Sequence, residues 1–395
     1  MNLGAGVWGL RSVHRFVETL AVSGVLLAGP AFATDSINGL VLGGGAPIAN
    51  SIVTLWAASP GVPRELAQAR TGADGRFTMK IPHAGGASSL YLVAQRGHAA
   101  ADKVGGDNSR IALMTVLGSK PLDKVTINEM TTVASVWTHA QFLDGTAISG
   151  HLLGLRIAAG NVPNFVDLRT GGWGSAIQDP LNSGQTSTMA NFATLADLLS
   201  ACVTRVTADA CDRLLEAAAP PKGGTPTDTL MAAQSIARYP WYYPERLYAL
   251  LNRFYPVPQG KNLRAVPYMP YLNWAPSAWV LPLKFDGGGY RAGGKAMFDA
   301  EGNLWVGDNF TVGWQGSDAL WQGNATKFAP NGKPLSPITT GFTGGGMEGG
   351  TFGAAVDAQD NAWFTTYGGH SIAVFDKNGK PLTLRTASPS TAGSG

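Results

Sequence analysis

Cysteine is nearly absent: Cys202 and Cys211 are the only two in 395 residues, too few for a zinc-binding set. Charge is also scarce, with Asp, Glu, Lys and Arg at 14% of positions and a formal net charge of +3. So little charge with 45% apolar residues excludes a disordered chain and a long coiled coil. The Lys and Arg residues are scattered, which gives nucleic-acid binding no support. Beyond residue 33 no run is apolar enough to span a bilayer, and there is no P-loop, H-E-x-x-H or G-x-S-x-G motif. What is abundant is turn-forming: 52 Gly and 24 Pro, with 9% aromatic residues, point to short strands and tight turns. The length suits two or three domains at roughly 100–200 residues each.

Residues 1–33 read as a secretory signal peptide. Arg11, His14 and Arg15 precede an apolar stretch from Leu20 to Leu27, and Ala31-Phe32-Ala33 has the A-x-A spacing of a cleavage site. The mature chain is then exported, periplasmic or extracellular. In that oxidising setting Cys202 and Cys211, nine residues apart, are expected to form a disulfide.

The expected fold is mixed and mainly β: an N-terminal sandwich over 34–118, a helical region over 121–258, a partial propeller over 279–385 and a flexible tail over 386–395. In the first region the runs Ile37 to Leu42, Ser51 to Trp56, Arg76 to Ile81 and Leu90 to Ala94 alternate between Gly- or Pro-bearing turns. The stretch Gly45 to Leu55, followed by Thr71-Gly72-Ala73-Asp74-Gly75-Arg76-Phe77, resembles the transthyretin-like domain of carboxypeptidases and many exported bacterial proteins. The resemblance implies a small seven-stranded sandwich used as a spacer or binding accessory, with no catalytic residue.

The second region shows helical periodicity. Thr126 and Glu129 read as a capping box ahead of an apolar face at Met130, Val133, Ala134 and Trp137. Gly145 to Gly184 reads as weakly ordered. Leu195, Leu198, Leu199 and Cys202 mark a further helix, Thr225 with Pro226 opens another, and Pro244 opens the last. His139 and His151 are set aside as ligands, and Glu129 is assigned to capping. The segments 125–137, 195–203 and 228–240 resemble exported bacterial proteins that join such a region to a propeller, a likeness that names no chemistry.

The third region repeats itself. Met297 to Val306 (MFDAEGNLWV) matches Ala355 to Phe364 (AVDAQDNAWF), and Lys327 to Leu335 matches Val374 to Leu382. Trp305 and Trp363 are 58 residues apart while Gly332 and Gly379 are 47 apart, which places an insertion at Thr311 to Gln322. Such units resemble NHL repeats and, more closely, virginiamycin B lyase and gluconolactonase-like β-propellers. Two blades are visible where closed propellers have four to eight. The expectation is therefore two sheets packed face to face without ring closure, from a chain that is either truncated, the favoured case, or closed by another chain, and whose open edges favour self-association.

That resemblance implies, for an active member, acidic and histidine side chains with a divalent metal near the channel. The candidates are Asp308, Glu348 and His370; Thr366 stands where the second unit would repeat Asp308. The sequons at Asn309 and Asn324 are chance-level. The favoured expectation is a non-catalytic exported protein that binds a saccharide, peptide or cell-envelope partner. The alternative is a metal-dependent propeller lyase or lactonase, with a divalent metal as cofactor only in that case.

Overall fold

A computed structural model describes residues 36–81, 89–120, 122–309, 323–347, 349–366 and 371–382. The signal-peptide reading of 1–33 and the tail 386–395 lie outside the described residues. The fold is mixed α and β. No described helix is long and apolar enough to cross a membrane.

The first strands are β1 Ser36–Gly43, β2 Ala46–Ala49, β3 Ile52–Ala57, β4 Arg64–Arg70, β5 Arg76–Lys80, β6 Leu90–Gln95, β7 His98–Ala99, β8 Ala112–Gly118 and β9 Lys124–Ile127. They build two sheets, β4-β3-β6-β8 and β5-β1-β2-β7, with β9 added parallel to β1. Side chains alternate across a strand, so Val53, Leu55, Leu92, Ala94 and Leu113 fill the space between the sheets. The opposite face, with Tyr91, Val93, Met114 and Val116, packs on the helices. Burial on both faces explains why β6 is apolar almost throughout.

Helix α1 Glu129–His139 lies along β8. The outward amides of that edge strand would otherwise be left bare. Met114 donates to the Thr132 hydroxyl (2.9 Å) and Val116 to Ser135 (3.0 Å), while Ala112 donates to Thr229 (3.0 Å), the first residue of a later helix. The N-cap of α1 differs from the sequence expectation. Asn128 accepts from Thr131 N (2.9 Å) and the Thr131 hydroxyl accepts from Asn128 N, so Asn128 and Thr131 form the capping box. Thr126 cannot cap because it is paired in β9 against Leu40. Glu129 is thereby freed from capping and turns inward.

Short strands β10 Leu143–Asp144 and β11 Ala147–Ile148 lead to α2 Leu152–Phe165, α3 Ser175–Gln178 and α4 Pro180–Ser183. Order here corrects the reading of 145–184 as weakly structured. The misleading residues have packing reasons: a Cβ on Gly154 would meet the Phe142 ring at 2.7 Å, and one on Gly160 would meet Pro330 at 2.5 Å. Then follow α5 Thr188–Val203, α6 Ala210–Ala217, α7 Thr229–Arg238 and α8 Pro244–Phe254. Asp228, not Thr225, caps α7, because its carboxylate reaches Met231 N at 2.9 Å. Cys202 at the end of α5 is bonded to Cys211 in α6, with Cα atoms 4.3 Å apart.

Residues 255–292 form a strap without helix or strand. Trp279, the first residue of the region read as propeller, is buried against the helices: its indole donates to Pro244 O (3.3 Å), and Trp137 donates to Trp279 O (2.9 Å). Beyond it stand two three-stranded antiparallel sheets. One is β12 Gly293–Phe298, β13 Leu304–Asp308 and β14 Asn324–Phe328; the other is β15 Thr351–Val356, β16 Ala362–Thr366 and β17 Ile372–Phe375. Met297 faces Trp305 in the first as Ala355 faces Trp363 in the second. Trp305, Ala325, Phe364, Ala373 and Phe375 form a core between them, and the described residues make no closed ring. The insertion expected to loop out at 311–322 lies outside the described residues.

Candidate functional site

The turn that recurs before each tryptophan is structural. Asp299 accepts from Asn303 N (2.8 Å), the Asn303 amide and the Trp305 indole (3.3 Å). Asp357 repeats the pattern with Asn361 N (2.8 Å), the Asn361 amide and the Trp363 indole (2.9 Å). The Trp363 and Asn361 donors hold Asp357 down at about 2. The first turn has one extra partner, Lys327, whose buried ammonium lies 3.0 Å from Asp299 and 4.7 Å from the Trp305 ring centre. These carboxylates are committed to shaping turns.

Asp308, at the end of β13, is the predicted candidate that the structure describes. Its Oδ1 accepts from Arg291 N at 3.0 Å, and its Oδ2 is buried without a partner. Burial pushes the carboxyl up to about 6, against the Arg291 and Ala292 amides that favour its charge. Its backbone is tied to the second sheet by the Thr351 hydroxyl, which donates to Asp308 O (2.9 Å) and Asn324 O (2.6 Å). Asn324 is itself buried and donates to Gly289 O, which makes it unsuited to carry a glycan. Thr366, the counterpart of Asp308, is engaged with Ser371. Glu348 and His370 lie outside the described residues. Among the described residues no group of three His, Cys, Asp or Glu is placed to hold a metal ion.

The other two histidines weighed from the sequence are structural. His151 caps α2 by accepting from Leu153 N. His139 is wholly buried, which pushes its ring down to about 4 and keeps it neutral.

A cavity of about 490 Å³ opens between α2 and the first repeat sheet. Ile157, Tyr290, Ala296, Phe298, Val306 and Phe328 give it apolar walls. Tyr290 meets Phe328 edge-on at 6.1 Å. The Asn161 amide on the wall is engaged at both ends, donating to Ile157 O and accepting from Asn164. Alongside runs β12, which pairs only with β13 among the described strands and is exposed from Lys295 to Phe298.

A second constellation escaped the sequence reading. Glu129 and Asp197 are both wholly buried where α1 and α5 meet the strap. Glu129 Oε1 accepts from Gly44 N (2.9 Å) in the β1–β2 turn, and its Oε2 accepts from the Tyr268 hydroxyl (2.6 Å). Asp197 Oδ1 accepts from Tyr268 N (2.9 Å), while its Oδ2 and the nearby Ser200 hydroxyl have no partner. Tyr255 reaches Asp197 O at 3.4 Å. Burial pushes both carboxyls up, Asp197 to about 8, with the neighbouring Glu129 adding to the rise. The available signal was an Asp inside the otherwise apolar LADLLSACV run, on a helix buried nearly all round.

No family model, curated protein or solved structure matches the chain.

Proposed function

We propose that the chain is an exported, non-catalytic binding protein that takes an extended peptide segment of a cell-envelope partner against β12. The observation that supports this reading is the juxtaposition of an exposed edge strand with an apolar cavity. A peptide pairing with Lys295–Phe298 would gain main-chain hydrogen bonds, and its alternate side chains would point toward the cavity. The apolar walls favour an aliphatic or aromatic anchor over a sugar ring, which needs several free polar partners. The sandwich, in this reading, is an accessory that positions the site.

The test is calorimetric titration of the mature chain with extended heptapeptides bearing one Leu or Phe anchor, beside a set of cell-wall oligosaccharides. Saturable binding by the anchored peptides, lost in Ala296→Arg, is the expected result. Binding by the oligosaccharides alone, or peptide binding unchanged in Ala296→Arg, would overturn the reading. One observation favours the lyase or lactonase alternative: a carboxyl at Asp308 poised near 6 with a free buried oxygen suits general acid–base work. Ring opening of a model lactone that disappears in Asp308→Asn would establish it.

A further inference from the structure

The strap over 255–292 crosses the helices with no helix or strand of its own, so it is held by contacts with its neighbours, side chains prominent among them. Tyr268 grips twice, its hydroxyl on Glu129 and its amide on Asp197. Both acceptors are buried carboxyls, and among the described residues neither forms an ion pair with Lys or Arg. The titratable groups acting on Asp197 are Glu129 from α1, with Tyr268 and Tyr255 from the strap; α5 contributes the neutral Ser200 and the β1–β2 turn an amide. Two like charges in one buried site with no counter-charge cannot both form cheaply.

We infer that Glu129, Tyr268 and Asp197 form a proton-operated latch, which clamps the strap while Asp197 carries a proton and loosens as that proton is lost. Glu129 is the better placed of the two to bear charge, because it sits at the N-terminus of α1 and accepts from Gly44 N and the Tyr268 hydroxyl. Asp197 has one acceptor oxygen used and one orphaned, so its neutral acid form suits the site. Both tyrosines are held far above their usual range by burial and by these carboxyls, and they stay neutral donors.

The direction follows from proton counting. With the latch closed Asp197 holds its proton up to about 8, whereas in an opened, solvated state it would lose it in the ordinary carboxylate range. The closed form therefore binds more protons and is favoured in acid. Its advantage shrinks by about tenfold per pH unit from the ordinary carboxylate range upward, and the loss is complete above about 8. An exported protein would meet this window as its surroundings change from acid to neutral.

Amide hydrogen exchange of the full mature chain tests this, with protection at Tyr268 and its neighbours taken relative to an unfolded reference at each pH. In the wild type, protection across the strap should fall about tenfold per pH unit between pH 5 and 8, while amides of β3 and β6 change far less. Asp197→Asn keeps an acceptor for Tyr268 N but cannot ionise, so its strap protection should be flat with pH. Glu129→Gln should move the wild-type profile to lower pH, because it removes the like charge. Strap protection that is flat in the wild type, or equally pH-dependent in Asp197→Asn, would overturn the latch. Should Asp197→Asn fail to fold, the ¹³C carboxyl shift of Asp197 in the wild type decides: a midpoint near 4 refutes the proposal, and one near 8 upholds it.

Discussion

Replacing Trp305 with Ala should unfold the two repeat sheets while leaving the sandwich and helices standing. Trp305 is fully buried, lies 5.5 Å from the Phe342 ring and 6.3 Å from Phe364, and donates its indole N–H to Asp299. Truncating a buried Trp costs about 3–5 kcal/mol in transfer and cavity terms. Two further losses place this site at the upper end: the indole hydrogen bond, worth about 1 kcal/mol, and the Lys327 contact over the ring, worth about 0.5–2 kcal/mol. Among the described residues the core between the sheets has six buried members, against the far larger clusters of the sandwich and helices, and a loss of this size exceeds what so small a cluster can absorb. The matched control is Trp363→Ala. That side chain makes the same hydrogen bond to Asp357 but is only half-buried and lies outside the core. Its cost should be roughly 1–2 kcal/mol. Scanning calorimetry should show a separate early transition in Trp305→Ala alone, and hydrogen exchange should assign it to β13 and β16. Equal costs at the two positions would refute the argument, since it rests on the sheets being alike in sequence and unlike in burial.

Lys327→Met removes one partner of a buried ion pair, a change that typically costs about 3–5 kcal/mol. Asp357 manages its turn without a lysine, so the loss should sit near about 3 kcal/mol, measured by urea unfolding. Thr132→Val leaves the Met114 amide of β8 without its acceptor and should cost about 1–3 kcal/mol in the same assay. Serine at both Cys202 and Cys211 should lower stability by about 2–3 kcal/mol from loop entropy, and thiol titration of the unfolded, unreduced wild type should find no free thiol. Asp308 holds its proton to about 6 in the fold, so its contribution is complete below the ordinary carboxylate range and is lost as pH rises through 6. Asp308→Asn should therefore be less pH-sensitive, with a relative gain of roughly 3 kcal/mol by pH 8.

The parts legible in the sequence were those in which one local pattern decides the outcome. Period-two alternation marked β1 and β5, and short apolar runs between turn residues marked β3 and β6; the D-x-x-x-N-x-W repeat marked two like sheets; proximity marked the disulfide. The illegible parts were decided by distant partners. Gly154 and Gly160 look like breakers until Phe142 and Pro330 are seen to occupy the space a side chain would need. Thr126 and Glu129 have the spacing of a capping box, but pairing of β9 with β1 claims Thr126 for a strand. Asp197 and Tyr268 are 71 residues apart, and only the folded strap joins them. The apolar cavity likewise combines side chains of α2 with those of β12 and β13, which no local periodicity could bring together.

The parallel strand β9 also governs how the chain can be assembled and divided. Asn38 pairs with Lys124 and Val41 with Ile127, so the sheet that holds β1 receives its last strand only after the whole β4-β3-β6-β8 sheet has been made. A chain emerging N-terminus first would expose the open side of β1 until then, a template for pairing with a neighbour. A protein cut after Gly118 would keep that exposure permanently and should aggregate. One extended through Ile127 should keep β1 covered on both sides, by β5 and β9. For anyone seeking to excise or transplant this sandwich, its last seven residues, 121–127, are those that read as the beginning of something else.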